Sequence, residues 1–272
     1  MAKRKRRKIR WDRVLIVFGP LFLLILIIHV SCRNRSGETV SESSAVVESM
    51  DIPESTAETN VSGEAVPAAQ TQKKYVIVID PGHGGGDGGA VNQSNTRFEK
   101  DDNLRLGMAV KQAFAKYPDI EIIMTRETDV FLGLQNRCDI ANEANADFFI
   151  SLHRNSAEEG NGVEIWIESD TGSDNAWDKL MAEYILDWLT EVGVSKRRGI
   201  QNGFRNTASK DSNYYVNQYT NMPSCLVEMG FMTAEIDNQN FDEHLNEYAD
   251  AIASAMVEML SDKGLYNSAA PQ

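Results

Sequence analysis

At 272 residues, 42% of them hydrophobic, the chain is long enough for one or two domains. Its formal charge of −13 is unevenly spread: 10 of the 27 Lys and Arg but only one of the 40 acids precede residue 36, which leaves 17 basic against 39 acidic residues beyond it. So acidic a body repels phosphates, which excludes electrostatic nucleic-acid binding, and three cysteines exclude a disulfide scaffold.

Residues 1–13 form a basic segment, cytoplasmic by the positive-inside rule. Val14 to Val30 is apolar apart from Gly19, Pro20 and His29. Its length is at the short end of the roughly 17–25 residues that span a bilayer and exceeds the about 7–15 of a signal-peptide core. A single-pass membrane anchor over 14–31, with the bulk of the chain extracytoplasmic, is the first reading. Cleavage as a signal, with secretion to the cell wall, is an alternative. Lipidation at Cys32 is another, weakened by His29 where a lipidation signal wants an aliphatic residue. Residues 32–72 are rich in Ser, Glu, Thr, Val and Ala with almost no aromatics, and read as a disordered acidic linker. Such a tether spans roughly 35 Å as a coil.

From 73 to 266 the pattern is that of one catalytic domain, followed by a tail at 267–272. Tyr75–Asp80 reads as a buried strand, and a glycine-rich loop leads to a helix with Leu104/Met108 and Val110/Phe114 at i,i+4. Glu121–Thr125 is the next strand; Leu134, Cys138 and Ala141 stripe the next helix. Phe148–His153 and Val163–Ile167 are strands. Trp177, Leu180, Met181, Tyr184, Trp188, Leu189 and Val192 make a helical core face. A strand at Cys225–Glu228 precedes a last helix carrying Leu245, Tyr248, Ile252, Met256, Met259 and Leu260. This alternation predicts an α/β fold: a mixed, mainly parallel central sheet flanked by helices. Cys138 and Cys225 fall in apolar patterns and read as buried thiols.

The chain has four histidines. His83 and His153 each follow a strand, where α/β folds gather site residues, whereas His29 lies in the apolar run and His244 reads as surface. Two strand-end imidazoles suggest a metal, and a third, acidic ligand would complete a catalytic zinc set with one open position. Glu99 is favoured for it; Asp87 and Asp101 compete, and spacing does not choose. Glu228 sits in the apolar run Leu226-Val227-Glu228-Met229, where a carboxylate is costly unless paired or used. Beside the histidine strands it would serve as a proton carrier. Asp80 reads as fixing the loop, and Arg126 and Arg137 as ion-pair partners. The glycine loop lacks the Lys-Ser/Thr ending of a phosphate loop.

These motifs, in order, resemble the zinc-dependent N-acetylmuramoyl-L-alanine amidases of the amidase 3 type. The resemblance runs through Asp80-Pro81-Gly82-His83-Gly84-Gly85, Glu99-Lys100-Asp101, Thr125-Arg126, Arg137 with Ala141-Asn142, Ser151-Leu152-His153-Arg154-Asn155, and Met222-Pro223 with Leu226–Phe231. It implies that His83, Glu99 and His153 ligate Zn²⁺, that Glu228 is the catalytic carboxylate, and that peptidoglycan is the substrate. The bond cut would join the lactyl group of N-acetylmuramic acid to L-alanine. Two departures stand out. Arg154 replaces a small residue and is expected to place positive charge beside the cleft, and Met232-Thr233-Ala234 replaces a Ser/Thr-Asn. Little chain remains between His153 and Lys196 for a helix that plugs the site, so a protein activator is not expected to be required.

Overall fold

Val and Ile dominate β1 (Tyr75–Pro81), and burial of nearly all its positions marks a strand covered on both faces. The computed structural model describes residues 74–169, 175–204 and 212–266. The basic segment, the anchor expected at 14–31, the linker and the tail all lie outside them. Among the described residues no helix is long and apolar enough to cross a membrane.

After β1 come α1 (Glu99–Ala113), a 3₁₀ turn at Phe114–Lys116, β2 (Ile120–Met124), α2 (Leu134–Glu143) and β3 (Phe148–Asn155). Then follow β4 (Val163–Ile167), α3 (Ala176–Val192), β5 (Arg197–Asn202), α4 (Tyr215–Tyr219), β6 (Ser224–Phe231), α5 (Glu235–Glu243) and α6 (Leu245–Asp262). The strands form one sheet in the order β2-β1-β3-β6-β4-β5. β2, β1, β3 and β6 are parallel; β4 runs antiparallel to β6, and β5 parallel to β4. The mixed, mainly parallel sheet is as the alternation predicted.

Strand alternation divides the chemistry between the two faces. Ile77, Ile79, Ile150, Leu152 and Val227 belong to the larger core, shared with α1, α3 and α6. Val78, Phe149 and Leu226 belong to the smaller one, with Cys138 and Ala141 of α2 and Val216 of α4. By the same alternation Asp80, Ser151, His153 and Glu228 share the α2 face. Cys138 and Cys225 are buried, which pushes both thiols up, Cys138 to about 11.

Three details differ from expectation. On α1 the buried face is Glu99, Asp102, Asn103, Leu106, Gly107 and Val110, while Met108 is exposed. The sheet packs against a polar-led stripe one position away from the Leu104/Met108 pair. β5 was not anticipated, because Arg-Arg-Gly-Ile-Gln-Asn lacks an apolar alternation; it is an edge strand, where polar residues are tolerated. Arg154 borders the cleft and its charge is felt by Glu99, but its guanidinium is buried rather than presented to a substrate. One residue past His153, it points to the opposite face, 1% exposed, with Nη1 donating to Asp102 Oδ2 at 2.5 Å and Nη2 to Asn238 Oδ1 at 2.8 Å.

Asp178, in the first turn of α3, ties that helix to the sheet by accepting a bond from the Ser224 N–H at 2.8 Å. Burial raises its carboxyl from 3.8 to about 6. A folded value above the unfolded one favours the protonated form, so Asp178 costs stability increasingly as pH rises from 3.8 through about 6. Asp178→Asn keeps an acceptor for Ser224 without the charge. It is expected to stabilise the fold by about 1–2 kcal/mol at pH 7 and hardly at all at pH 4, as urea unfolding at both pH values would measure.

Candidate metal centre and catalytic cleft

His83 stands in a loop whose backbone is clamped from two sides. Its φ of 60° is left-handed, a conformation that costs a non-glycine residue roughly 1–3 kcal/mol. Two buried guanidiniums hold the loop there. Arg126 donates to the carbonyls of Pro81 and Gly82, and Arg137 to those of Pro81 and His83. Arg137 is itself fixed by Asp80, whose carboxylate also accepts from Thr125 and Ser151 at 2.6 and 2.7 Å. Asp80 thus fixes the loop as expected. Arg137 is its ion-pair partner, whereas Arg126 serves as a carbonyl clamp with no carboxylate partner at hydrogen-bond distance among the described residues.

Glu99 opens α1 as its first residue and projects between the two imidazoles. Its Oε2 lies 3.2 Å from His83 Nε2, and its Oε1 2.8 Å from His153 Nδ1. The N–H groups of Ala90 and Arg154 donate to the same carboxylate, at 2.7 and 3.1 Å. One ligand atom from each of His83, Glu99 and His153 falls within 4.8 Å of the others. The ring space depends on two glycines: a Cβ on Gly82 would come within 2.2 Å of the His153 ring. One on Gly89, at φ +66°, would lie 2.6 Å from Glu99 Oε2 and 2.7 Å from His83 Cδ2.

The geometry separates the three acids that spacing left open. Asp87 sits 2.8 Å from the other nitrogen of His83, Nδ1, where it orients the ring and leaves Nε2 turned to the centre. Asp101 is exposed. Only Glu99 reaches both rings. Burial opposes charge on His83, yet the Glu99 and Asp87 carboxylates outweigh it and raise the imidazole to about 9. Glu99, also opposed by burial, is held well below the usual carboxylate range by the two imidazoles. Two nitrogens and one oxygen, so preorganised, fit a divalent cation of the zinc type.

Glu228 is 7% exposed and lies directly across from His153 in the β3–β6 register. On its other side, in the β4–β6 register, stands Glu164. That second carboxylate is buried and accepts from Asn155 at 2.7 Å, the Trp166 indole at 3.2 Å and Arg198 at 2.6 Å. The sequence reading missed it, although Val163-Glu164-Ile165 carries the same signal as Glu228, an acid inside an apolar strand. His83, Glu99, His153 and Glu228 line one cleft of about 700 Å³. Its rim is apolar, with Phe131, Leu134 and Phe204 exposed.

Residues 77–261 match the family model described as N-acetylmuramoyl-L-alanine amidase. The chain is 33% identical over 175 residues to the N-acetylmuramoyl-L-alanine amidase CwlM of Bacillus licheniformis, covering 64% of this chain and 61% of that protein. It resembles the solved N-acetylmuramoyl-L-alanine amidase of Clostridium difficile 630, with a TM-score of 0.63, 29% identity, and coverage of 71% of this chain and all of that one. The catalytic domain of CwlV from Bacillus (Paenibacillus) polymyxa var. colistinus is similar too: TM-score 0.60, 32% identity, 69% of this chain and 98% of that one.

Proposed function

Because the chain belongs to the N-acetylmuramoyl-L-alanine amidase family, we propose that it hydrolyses the amide between the lactyl group of N-acetylmuramic acid and L-alanine in peptidoglycan, with Zn²⁺ held by His83, Glu99 and His153. The observation that carries this reading is the convergence of those three side chains, with Glu228 in register beside His153, in one cleft of a family-matched domain. Zinc bound there supplies Lewis-acid activation of the carbonyl and of water.

The protein's own groups do the rest. Asp87 fixes the His83 tautomer, and the Asp80–Arg137–Arg126 clamp holds the loop in its left-handed turn. Glu228 takes a proton from the attacking water and delivers it to the departing amine of L-alanine, so one carboxylate serves as base and then acid. The apolar rim suits the carbohydrate faces of a glycan chain. An anchor over residues 14–31 with a linker over 32–72 would hold the catalytic domain outside the membrane, within reach of the wall. In that reading the membrane is a partner only through the N-terminal helix.

The test is digestion of isolated sacculi by the purified chain with added zinc and no second protein. Mass spectrometry should find intact stem peptides with a free L-alanine amine. Peptides cut internally, or glycans that have lost only acetyl groups, would replace this reading with a peptidase or a deacetylase. Activity that waits for a partner protein would remove the expectation that no activator is needed.

A further inference from the structure

Among the described residues, Arg198 keeps hydrogen-bond donors that its neighbours do not use. It occupies the bulge where the β4–β5 register shifts, between Arg197, which pairs with Val163, and Gly199, which pairs with Glu164. Its Nε donates to Glu164 Oε2 at 2.6 Å, and its guanidinium carbon lies 5.0 Å from the centre of the Phe231 ring. The side chain is 30% exposed. A guanidinium has about five N–H groups in a rigid fork, so anchoring through Nε leaves the terminal nitrogens for another acceptor. Among the described residues the other arginines around the site are spent: Arg126 and Arg137 on loop carbonyls and Asp80, Arg154 on Asp102 and Asn238.

Its place in the sheet gives those donors a direction. His153, Glu228, Glu164 and Arg198 follow one another across β3, β6, β4 and β5. With strands about 4.8 Å apart, the row extends roughly 14 Å from the histidine. Glu228 must reach the departing amine, so the leaving peptide lies on the Glu228 side of the three ligands, over Glu164 and toward Arg198. One residue beyond L-alanine, the stem peptide carries either a free carboxylate or its amide. At about 3.3–3.6 Å per residue that group sits roughly 7 Å from the cut bond, and the arginine side chain covers the remaining distance.

We propose that Arg198 is a specificity-determining residue that recognises a free carboxylate on the second residue of the stem peptide. The inference rests on the amidase reading. A planar fork matches a carboxylate with two parallel bonds and gains less from a carboxamide, which brings one acceptor and no charge. In a strongly acidic domain, a positive group here also offsets the repulsion an acidic peptide would meet.

Two N-acetylmuramoyl tripeptides test it with the full chain loaded with zinc, each with the γ-carboxyl of its second-residue D-glutamate closed in the bond to the third residue, one with the α-carboxylate free and the other with it amidated. The expected result is a KM about tenfold lower for the carboxylate with similar kcat, the size of a charge-assisted bond pair. In Arg198→Gln that preference should collapse toward one, and Arg198→Lys should keep part of it. Equal KM values in the wild type, a measurement that needs no variant, would overturn the proposal. So would a preference that survives Arg198→Gln. If the wild type cleaves neither compound yet opens sacculi at another bond, the amidase reading itself falls.

Discussion

Glu228→Gln is expected to lower kcat by about 10²–10⁴-fold, the range for losing a positioned proton carrier, while zinc content stays at the wild-type level. The two effects separate because Glu228 stands across the strand pair from His153 and is not among the three converging side chains proposed to hold the metal. Gln preserves size and one oxygen, so the fold should tolerate it, but it neither takes a proton from water nor returns one to the amine. His153→Ala makes the contrast. It removes a ligand, opens space over Gly82 and leaves Glu99 without its partner at 2.8 Å, so metal and activity should disappear together. Elemental analysis alongside turnover on sacculi reads both. Equal metal content in the wild type and His153→Ala would place the zinc elsewhere, and an active Glu228→Gln would remove Glu228 as the proton carrier.

How much of this was legible in the sequence depends on which physical signal each residue carried. His83 and His153 were visible because imidazoles are few and both end hydrophobic strands. Glu228 was visible because an acid in an apolar run demands a reason. Glu99 was harder. Its place between the two rings follows from being the first residue of α1, where the helix aims it at the loop after β1 and at the end of β3, and Asp87 and Asp101 share its composition and neighbourhood. Nothing local tells them apart. Arg126 and Arg137 act on carbonyls that no side-chain pattern advertises. β5 lacked the alternation that betrays a strand, so Arg198 and the row it completes came only from the sheet register, whereas Glu164, in a strand that was read, carried the same signal as Glu228 and was passed over.

Arg154 shows the same limit most clearly, and it supports the second large effect. Phe148 to Leu152 is buried on both faces, so the strand has no polar–apolar alternation to say which way the next arginine turns. It turns inward, away from His153. Burial lowers its guanidinium to about 10, against the pull of Asp102, so at neutral pH it stays charged and paired. The Phe241 ring centre lies 4.4 Å from its guanidinium carbon. Truncating one partner of a buried ion pair typically costs about 3–5 kcal/mol, because the other is left in a medium that cannot solvate it. Asp102 would keep Arg97 at 2.7 Å and Arg105 at 3.3 Å, so Arg154→Ala is expected near the lower end, about 3 kcal/mol, cavity included. Arg154→Met should recover part of that loss by refilling the space beside Phe241 without restoring the charge. Denaturant unfolding of zinc-free protein measures both. The backbone N–H of residue 154, which donates to Glu99, survives either substitution. Protein that remains folded should therefore bind zinc nearly as the wild type does. A variant equally stable but unable to hold metal would place Arg154 in the site after all, as the charge beside the cleft that its position in the sequence first suggested.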